Sequence, residues 1–146
     1  MTNGQLYTLD TNILVHYVPG DNVWIRVRDQ YELLIRDPKP IIPVVISGEL
    51  RSLAIQNGWG KQKLDQMEFC LGYFDIAFIE SDSIILGYAS IDAHFQKQGQ
   101  ALGKNDLWIA ATTQALGATS LTTDRDFDRM DPLFINRDWI DPTIKK

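Results

Sequence analysis

Residues 105–124, NDLWIAATTQALGATSLTTD, decide the fold class of this chain. The segment up to Gly117 is rich in Ala and apolar on nearly all sides, which predicts a central helix closed by that glycine. The run ATSLTT then predicts a buried strand. Asp106 lies at the start of the helix, and Asp124 directly follows the strand. Helices and strands that alternate in this way are typical of an α/β fold with a parallel sheet.

The rest of the chain continues the alternation. Apolar runs of strand length occur in QLYTLD, IIPV, DIAFIE and LFIN. Helices are predicted from Asn12, over residues 22–37, from the end of IIPV to Asn57, over 60–72, and from Ser81 to about Gln98. No linker, internal repeat or low-complexity segment interrupts this pattern. We therefore predict a single α/β domain over residues 1–146.

The predicted helix over 22–37 is amphipathic. Its broad apolar face consists of Val23, Val27, Tyr31 and Leu34, with Trp24 and Ile35 nearby. The Asp37-Pro38 and Lys39-Pro40 pairs are predicted to end the helix, because a residue that precedes proline disfavours the helical conformation.

The composition is that of an ordinary soluble globular protein, with 45% hydrophobic and 23% charged residues. The longest apolar stretches are too short to span a membrane, and the N-terminal MTNGQL has neither a basic nor an apolar region. We therefore predict a cytoplasmic protein with no membrane partner. Cys70 is the single cysteine, and its apolar surroundings predict a buried, inert thiol.

The net charge of −5 argues against a large basic surface for nucleic acid. Carboxylates that bind a metal ion would, however, have part of that charge neutralised. Basic residues recur beside the acidic motifs and are candidates for phosphate contacts: Arg51, Lys104, Arg125 and Arg129.

Four acidic residues follow predicted strands: Asp10 in LDTNIL, Glu49 in ISGEL, Asp106 and Asp124. In an open parallel sheet the carboxyl ends of the strands share one edge, where ligands bind. Carboxylates brought together there repel one another unless a cation neutralises them. Oxygen ligands suit Mg²⁺ or Mn²⁺, so the four acids are predicted to be metal ligands in phosphoryl chemistry.

Each acid also has an ordinary structural explanation. Asp10 and Asn105-Asp106 are good helix N-caps, Glu49 in a first turn favours the helix dipole, and Asp124 suits a turn. The joint occurrence of all four favours a shared site. Polar neighbours that could orient the acids are Thr11, Asn12, Ser47, Asn105, Thr122 and Thr123. Asp124 directly follows its strand and is the favoured ligand, with Asp126 or Asp128 as an additional acid.

Other chemistries find less support. His16 and His94 are isolated, so neither a nucleophile and base pair nor a zinc ligand set is visible. A haloacid-dehalogenase-type phosphatase would need a second Asp where Asn12 stands. A receiver domain would need an acidic pair near the start of the chain, which is absent.

The ordered set LDTNIL, Glu49 after a strand, NDLWIAAT and TTDRDF with the later NRDWIDP resembles the PIN domain, and specifically the small stand-alone VapC-type toxins. The resemblance covers the whole chain. It implies a three-layer α/β/α fold with a central, mostly parallel sheet. It also implies a catalytic and metal-binding site formed by Asp10, Glu49, Asp106 and Asp124.

The resemblance further implies a Mg²⁺- or Mn²⁺-dependent endoribonuclease that cleaves structured RNA, such as transfer or ribosomal RNA. Such an enzyme would bind one or two metal ions. It implies a cognate antitoxin protein with an Arg or Lys near the acids, and a homodimer. Aromatic segments around Trp24, Trp59 or Tyr73 could contribute to the dimer surface or to the core. The alternatives are a stand-alone PIN-domain nuclease for RNA processing and a non-catalytic interaction module.

Overall fold

Five parallel strands form the centre of the fold in the computed structural model, which describes residues 4–143. The strands are β1 (Tyr7–Leu9), β2 (Ile41–Pro43), β3 (Asp75–Ala77), β4 (Thr119–Thr122) and β5 (Asn136–Trp139). Their order across the sheet is β3-β2-β1-β4-β5, and all neighbouring pairs are parallel. The predicted α/β fold is confirmed. Because the chain builds outward from β1 in both directions, a topological switch point lies at the carboxyl end of β1, where ligands bind in such sheets.

Helices flank the sheet and connect its strands. They are α1 (Thr11–Tyr17), α2 (Asn22–Gln30), α3 (Val44–Gln56), α4 (Lys61–Tyr73), α5 (Asp82–Lys97), α6 (Lys104–Ala115) and a 3₁₀ helix (Arg125–Met130). Ser81, where this helix was predicted to start, is the N-cap of α5, since its hydroxyl accepts a hydrogen bond from the backbone N–H of Ile84. Within residues 4–143, no helix combines the length and the apolar character needed to cross a bilayer.

The hydrophobic core fixes the sheet edge that carries the acids. Leu9 in β1 and Leu121 in β4 are completely buried. Helix α6 is buried on several sides, as its sequence predicts, and Gly117 ends it with a positive φ of 63°. Buried Leu14, Ile46 and Leu107 anchor the first turns of α1, α3 and α6 in the core, which holds the polar residues of these helices in place at the edge of the sheet.

The predicted helix over 22–37 is wrong in its second half. Helix α2 ends at Gln30, and Glu32 adopts a positive φ of 54°. The turn that follows buries Leu33, while Leu34 and Ile35 are exposed. The reason is tertiary: buried Arg36 donates to the backbone oxygens of Tyr31 and Gln5, which ties this turn to the start of β1.

Two further expectations are corrected at the sheet. The last strand was predicted at LFIN, but β5 begins at Asn136, because the chain first turns and buries Ile135. Strand β3 ends at Ala77 and is shorter than DIAFIE. The side chain of Trp24 belongs to the core, the second of the two roles considered for it, and packs edge-on against Tyr17.

Candidate active site

One cavity of about 720 Å³ opens at the carboxyl edge of the sheet. The predicted site residues that line it are Asp10, Thr11, Asn12, Glu49, Asn105, Asp106 and Asp124. They come from β1 and α1, from α3, from the start of α6 and from the turn after β4. The cavity therefore collects side chains that are far apart in sequence, at the position where an open α/β sheet binds ligands.

Asp10 lies at the base of the site and is only 4% exposed. It caps α1, since its Oδ1 accepts the backbone N–H of Thr11 at 2.8 Å. Its Oδ2 accepts the hydroxyl of Thr122 at 2.8 Å and the amide of Asn12 at 3.1 Å. Burial raises the pKa of Asp10 to about 6, although these hydrogen bonds act in the opposite direction.

Glu49 is held from two sides. The hydroxyl of Thr11 donates to Oε1 at 2.7 Å, and the amide of Asn105 donates to Oε2 at 2.9 Å. Glu49 is the sixth residue of α3, so it lies in the second turn and not in the first turn that a dipole role would need. Its side chain is thus oriented by residues of α1 and α6, and both of its oxygens face polar neighbours.

Asp106 projects from the first turn of α6 and is half-buried. Burial raises the pKa of Asp106 to about 6, and the negative charges of four other acids add to the effect: Asp10, Asp124, Glu49 and Asp126. Within residues 4–143, no hydrogen bond stabilises its carboxylate. The ionised form of Asp106 is therefore disfavoured both by burial and by the negative charges of its neighbours.

Asp124 and Asp126 enter the site from the turn after β4. Asp124 caps the 3₁₀ helix, since its Oδ1 accepts the backbone N–H of Asp126 at 2.8 Å. One carboxylate oxygen from each of Asp106, Asp124 and Asp126 lies within 4.8 Å of the other two. Asp126 thus belongs to a group of three acids close enough together to hold one metal ion, whereas Asp10 and Glu49 line the same cavity outside that group.

Asp128, the other additional acid considered from the sequence, lies apart from this group. Its Oδ1 pairs with Arg137 at 2.7 Å, and its Oδ2 lies 3.4 Å from Arg125. The two arginines already provide positive charge for this carboxylate. Asp126 is therefore the additional acid that the fold brings to the other carboxylates.

Thr122 is the better placed of the two threonines that the sequence indicates as polar supports beside Asp124. The completely buried hydroxyl of Thr122 donates to Asp10 and accepts the backbone N–H of Asp124 at 3.0 Å. Thr123, which was also predicted to orient the acids, contributes only its backbone: its N–H donates to Asn12 Oδ1 at 2.8 Å, and its oxygen accepts the indole N–H of Trp139. The alternation of side chains along β4 distinguishes Thr122 from Thr123, because Ser120 and Thr122 lie on the same face.

The predicted phosphate-contacting residues differ in their surroundings. Arg51 forms a bidentate pair with Glu68 on α4, and Arg129 donates to the backbone oxygen of Gln100. The guanidinium of Arg125 lies over the ring of Trp139, 3.8 Å from its centroid. Lys104 is exposed at the first position of α6. Lys104 and Arg125 are thus next in sequence to the residues of the acidic site.

The chemistry of the donor set fits a hard divalent cation. Every charged group that lines the cavity is a carboxylate, and the amide and hydroxyl groups beside the acids orient them. Carboxylate oxygens are the ligands that Mg²⁺ and Mn²⁺ prefer. Such a cation would also offset the repulsion between the acids, which adds to the effect of burial on the pKa of Asp106.

Comparisons with known proteins agree with this geometry. Ribonuclease VapC1 from Haemophilus influenzae (strain R2866) is 26% identical over 134 residues, covering 88% of this chain and 95% of the relative. VapBC2 from Rickettsia felis, solved bound to a promoter DNA fragment, has a TM-score of 0.80 at 22% identity, covering 94% of this chain and 100% of that one.

VapBC-5 from Mycobacterium tuberculosis, described as a member of the VapBC family of toxin-antitoxin systems, has a TM-score of 0.64 at 23% identity and covers 92% of this chain and 97% of that one. At identities of 22% and 23%, the likeness of these two structures to this chain shows the fold alone. The PIN domain profile matches residues 7–133, which is most of the sequence. The strand order, the acid-lined cavity and this match together show that the chain belongs to the PIN domain family.

Proposed function

We propose that this protein is a metal-dependent endoribonuclease of the VapC type and the toxin of a toxin–antitoxin pair. The observation that carries the proposal is the cavity in which Asp10, Glu49, Asp106 and Asp124 converge. The name of the Haemophilus relative, a ribonuclease, supports the reaction. We further propose that the chain forms a single PIN domain with one active site.

The acids have different parts in this proposal. Asp106, Asp124 and Asp126 are close enough together to share one Mg²⁺ or Mn²⁺ ion. Asp10 and Glu49 complete the negative wall of the cavity. When bound, such an ion polarises a phosphodiester and lowers the pKa of a water molecule so that it can attack phosphorus. Thr11, Asn105 and Thr122 hold the carboxylates in the orientation that binding needs.

The RNA is proposed to approach from the side of the basic residues that adjoin the acidic motifs. Lys104 precedes Asp106 by two residues, and Arg125 directly follows Asp124. Cationic side chains position a phosphate backbone without selecting a sequence. Structured RNA, of the transfer or ribosomal class, is the substrate that we propose.

The proposed partners are a second copy of the chain and a cognate antitoxin. The VapBC structures of Rickettsia felis and Mycobacterium tuberculosis support the antitoxin, because the latter is described as part of a toxin-antitoxin system. An Arg or Lys of the antitoxin would be attracted to the acidic cavity, since a guanidinium pairs well with carboxylates. This pairing would inhibit the enzyme by occupying the region where the metal binds.

A cleavage assay tests the proposal. Purified protein is incubated with fluorescent structured RNA in Mg²⁺, in Mn²⁺ or in EDTA, and Asp106→Asn is tested in parallel. We expect endonucleolytic products in the metal-containing reactions of the wild type alone. Equal cleavage in EDTA would contradict the metal dependence, and equal cleavage by Asp106→Asn would contradict the site. Sequencing the new 5′ ends after brief induction in cells would then identify the RNA.

A further inference from the structure

The last strand of the sheet reaches the acidic site, although it lies beyond the region that the PIN profile covers. That region ends at residue 133, whereas β5 spans Asn136–Trp139. β5 pairs in parallel with β4, and Trp139 is opposite Thr122 in the register. The backbone N–H of Ile140 also donates to the oxygen of Thr122 at 2.8 Å. β5 is therefore tied to the residues from which the acidic turn begins.

Trp139 contacts the turn directly. Its indole N–H donates to the backbone oxygen of Thr123 at 2.9 Å. The same peptide group supplies the N–H of Asp124, which donates to the hydroxyl of Thr122 at 3.0 Å. The peptide group between Thr123 and Asp124 is thus held at both of its polar ends, by one side chain from β4 and one from β5.

The orientation of two acids depends on this peptide group. Asp124 follows it directly, and the carboxylate of Asp124 accepts the N–H of Asp126. Both carboxylates belong to the group of three that lie within 4.8 Å of one another. A rotation of the peptide group would therefore move two of the three oxygens relative to Asp106, which is anchored separately on α6.

We propose that Trp139 is a positioning residue for the metal site, acting through the backbone oxygen of Thr123 to fix Asp124 and Asp126 relative to Asp106. This inference rests on the proposed function. Groups that orient metal ligands typically change metal affinity 10- to 100-fold when they are removed. Trp139 thus serves a role usually filled by a side chain bonded to the ligand itself, but it acts through the backbone.

The test replaces the indole donor and keeps an aromatic ring. Trp139→Phe loses the N–H, while its ring can still lie beneath the guanidinium of Arg125. Trp139→His restores a donor, because imidazole Nε2 occupies the same ring position as indole Nε1. Trp59→Phe is the matched control, since Trp59 packs against the core and is not among the residues that line the cavity.

Mn²⁺ binding is measured by calorimetry on each purified variant, and amide hydrogen exchange is measured in EDTA. We expect Trp139→Phe to raise the Mn²⁺ Kd about tenfold and to speed exchange at Asp124. Trp59→Phe should change neither, and Trp139→His should recover part of the affinity. In cleavage assays the loss should appear in kcat and leave the KM for RNA unchanged, because the ligands move and not the RNA-binding surface.

A second background separates positioning from general stability. In Asp124→Asn, Trp139→Phe should weaken Mn²⁺ binding by less than in the wild type, because one of the two carboxylates that Trp139 positions is already gone. Equal weakening in both backgrounds, or an unchanged Kd and exchange rate in Trp139→Phe, would overturn the inference while the proposed function stands. Absence of Mn²⁺ binding by the wild type would instead remove the proposed function, and this inference with it.

Discussion

Asp10 and Asp106 are two carboxylates of one cavity whose pKa values are both raised to about 6, yet their surroundings differ. Asp10 is almost fully buried and accepts three hydrogen bonds, from Thr11, Asn12 and Thr122. Asp106 is half-buried, accepts no hydrogen bond from within residues 4–143, and is surrounded by like charges. Burial is the largest cause of the shift for both.

This difference shows that one cavity combines a buried, hydrogen-bonded carboxylate with a half-buried carboxylate that has no hydrogen bond from the described chain. The hydrogen bonds of Asp10 join α1 to β4, so its carboxylate has a structural part whether or not a cation is bound. The charge of Asp106 has no such compensation in the described chain. Ionised Asp106 therefore costs stability that a bound cation would restore, and this is expected of a ligand more than of a helix cap.

The largest expected effect concerns Asp106 and catalysis. Asp106→Asn should lower RNA cleavage by at least about a hundredfold, comparable to the loss of a key electrostatic stabiliser, while the fold persists. The isosteric change removes the attraction for a cation with little change in volume. Initial rates at saturating Mn²⁺ measure the effect. Asp75→Asn, at the exposed first position of β3, is the control and should retain wild-type rates.

The second expected effect is the pH dependence of metal-free stability. The pKa of Asp10 rises from 3.8 unfolded to about 6 folded, so between these values the folded state holds more protons than the unfolded one. The free energy of unfolding from this group therefore falls as pH rises through that window and is constant above it. The total is on the order of 3 kcal/mol, and Asp106 acts in the same direction.

Urea titrations in EDTA at several pH values between about 4 and 8 measure this dependence. Saturating Mn²⁺ should reverse the slope, because protons compete with the cation at low pH. The Asp106→Asn variant should show a shallower fall than the wild type. Identical slopes in the wild type and in this variant would contradict the raised pKa of Asp106.

The third prediction separates the two threonines after Leu121. Thr122→Val removes the hydroxyl that donates to Asp10 and accepts the N–H of Asp124, at nearly constant volume. Buried groups then lose their partners, so the variant should be less stable by about 1–2 kcal/mol. The pKa of Asp10 should rise further, because the Thr122 hydrogen bond lowers it. Urea titration and an NMR titration of Asp10 measure these effects.

Thr123→Val is the matched control for this prediction. Thr123 contributes its backbone N–H and oxygen to the site, through Asn12 and Trp139, and valine retains both. Its stability and the pKa of Asp10 should remain close to wild type. Equal losses of stability in the two valine variants would show that the hydroxyl of Thr122 does not stabilise the site.

The sequence predicted the parts of the site that depend on strand ends. Asp10 and Asp124 follow buried strands, and Asp106 lies in the first turn of the helix that leads into β4, so a parallel sheet brings them to one edge. The choice between Thr122 and Thr123 depends on which face of β4 each side chain occupies, and Asp126 enters the group only through the 3₁₀ helix. Such details are set by tertiary contacts that local patterns do not contain.

The fold shows the same division. Periodicity predicted α5, α6 and the alternation of strands and helices, because these depend on local apolar spacing. The end of α2 and the start of β5 were missed. Both are set by distant partners: Arg36 bonds back to Gln5, and β5 finds its register against β4. Residues whose conformation depends on such contacts require the structure.

The smallest expected effect tests the comparison between the two acids most directly. Asp106→Asn should unfold at a higher temperature than the wild type in EDTA at neutral pH, by a few degrees, or about 1 kcal/mol after allowance for solvent screening. The amide removes a charge that burial and neighbouring acids oppose, and it breaks no hydrogen bond of the described chain. Millimolar Mn²⁺ should raise the wild-type midpoint and move the variant much less, because the cation binds the native site preferentially. Scanning calorimetry measures both. A variant that is less stable in EDTA and equally responsive to Mn²⁺ would show that the charge of Asp106 serves to stabilise the first turn of α6, and the difference from Asp10 would then have no bearing on metal binding.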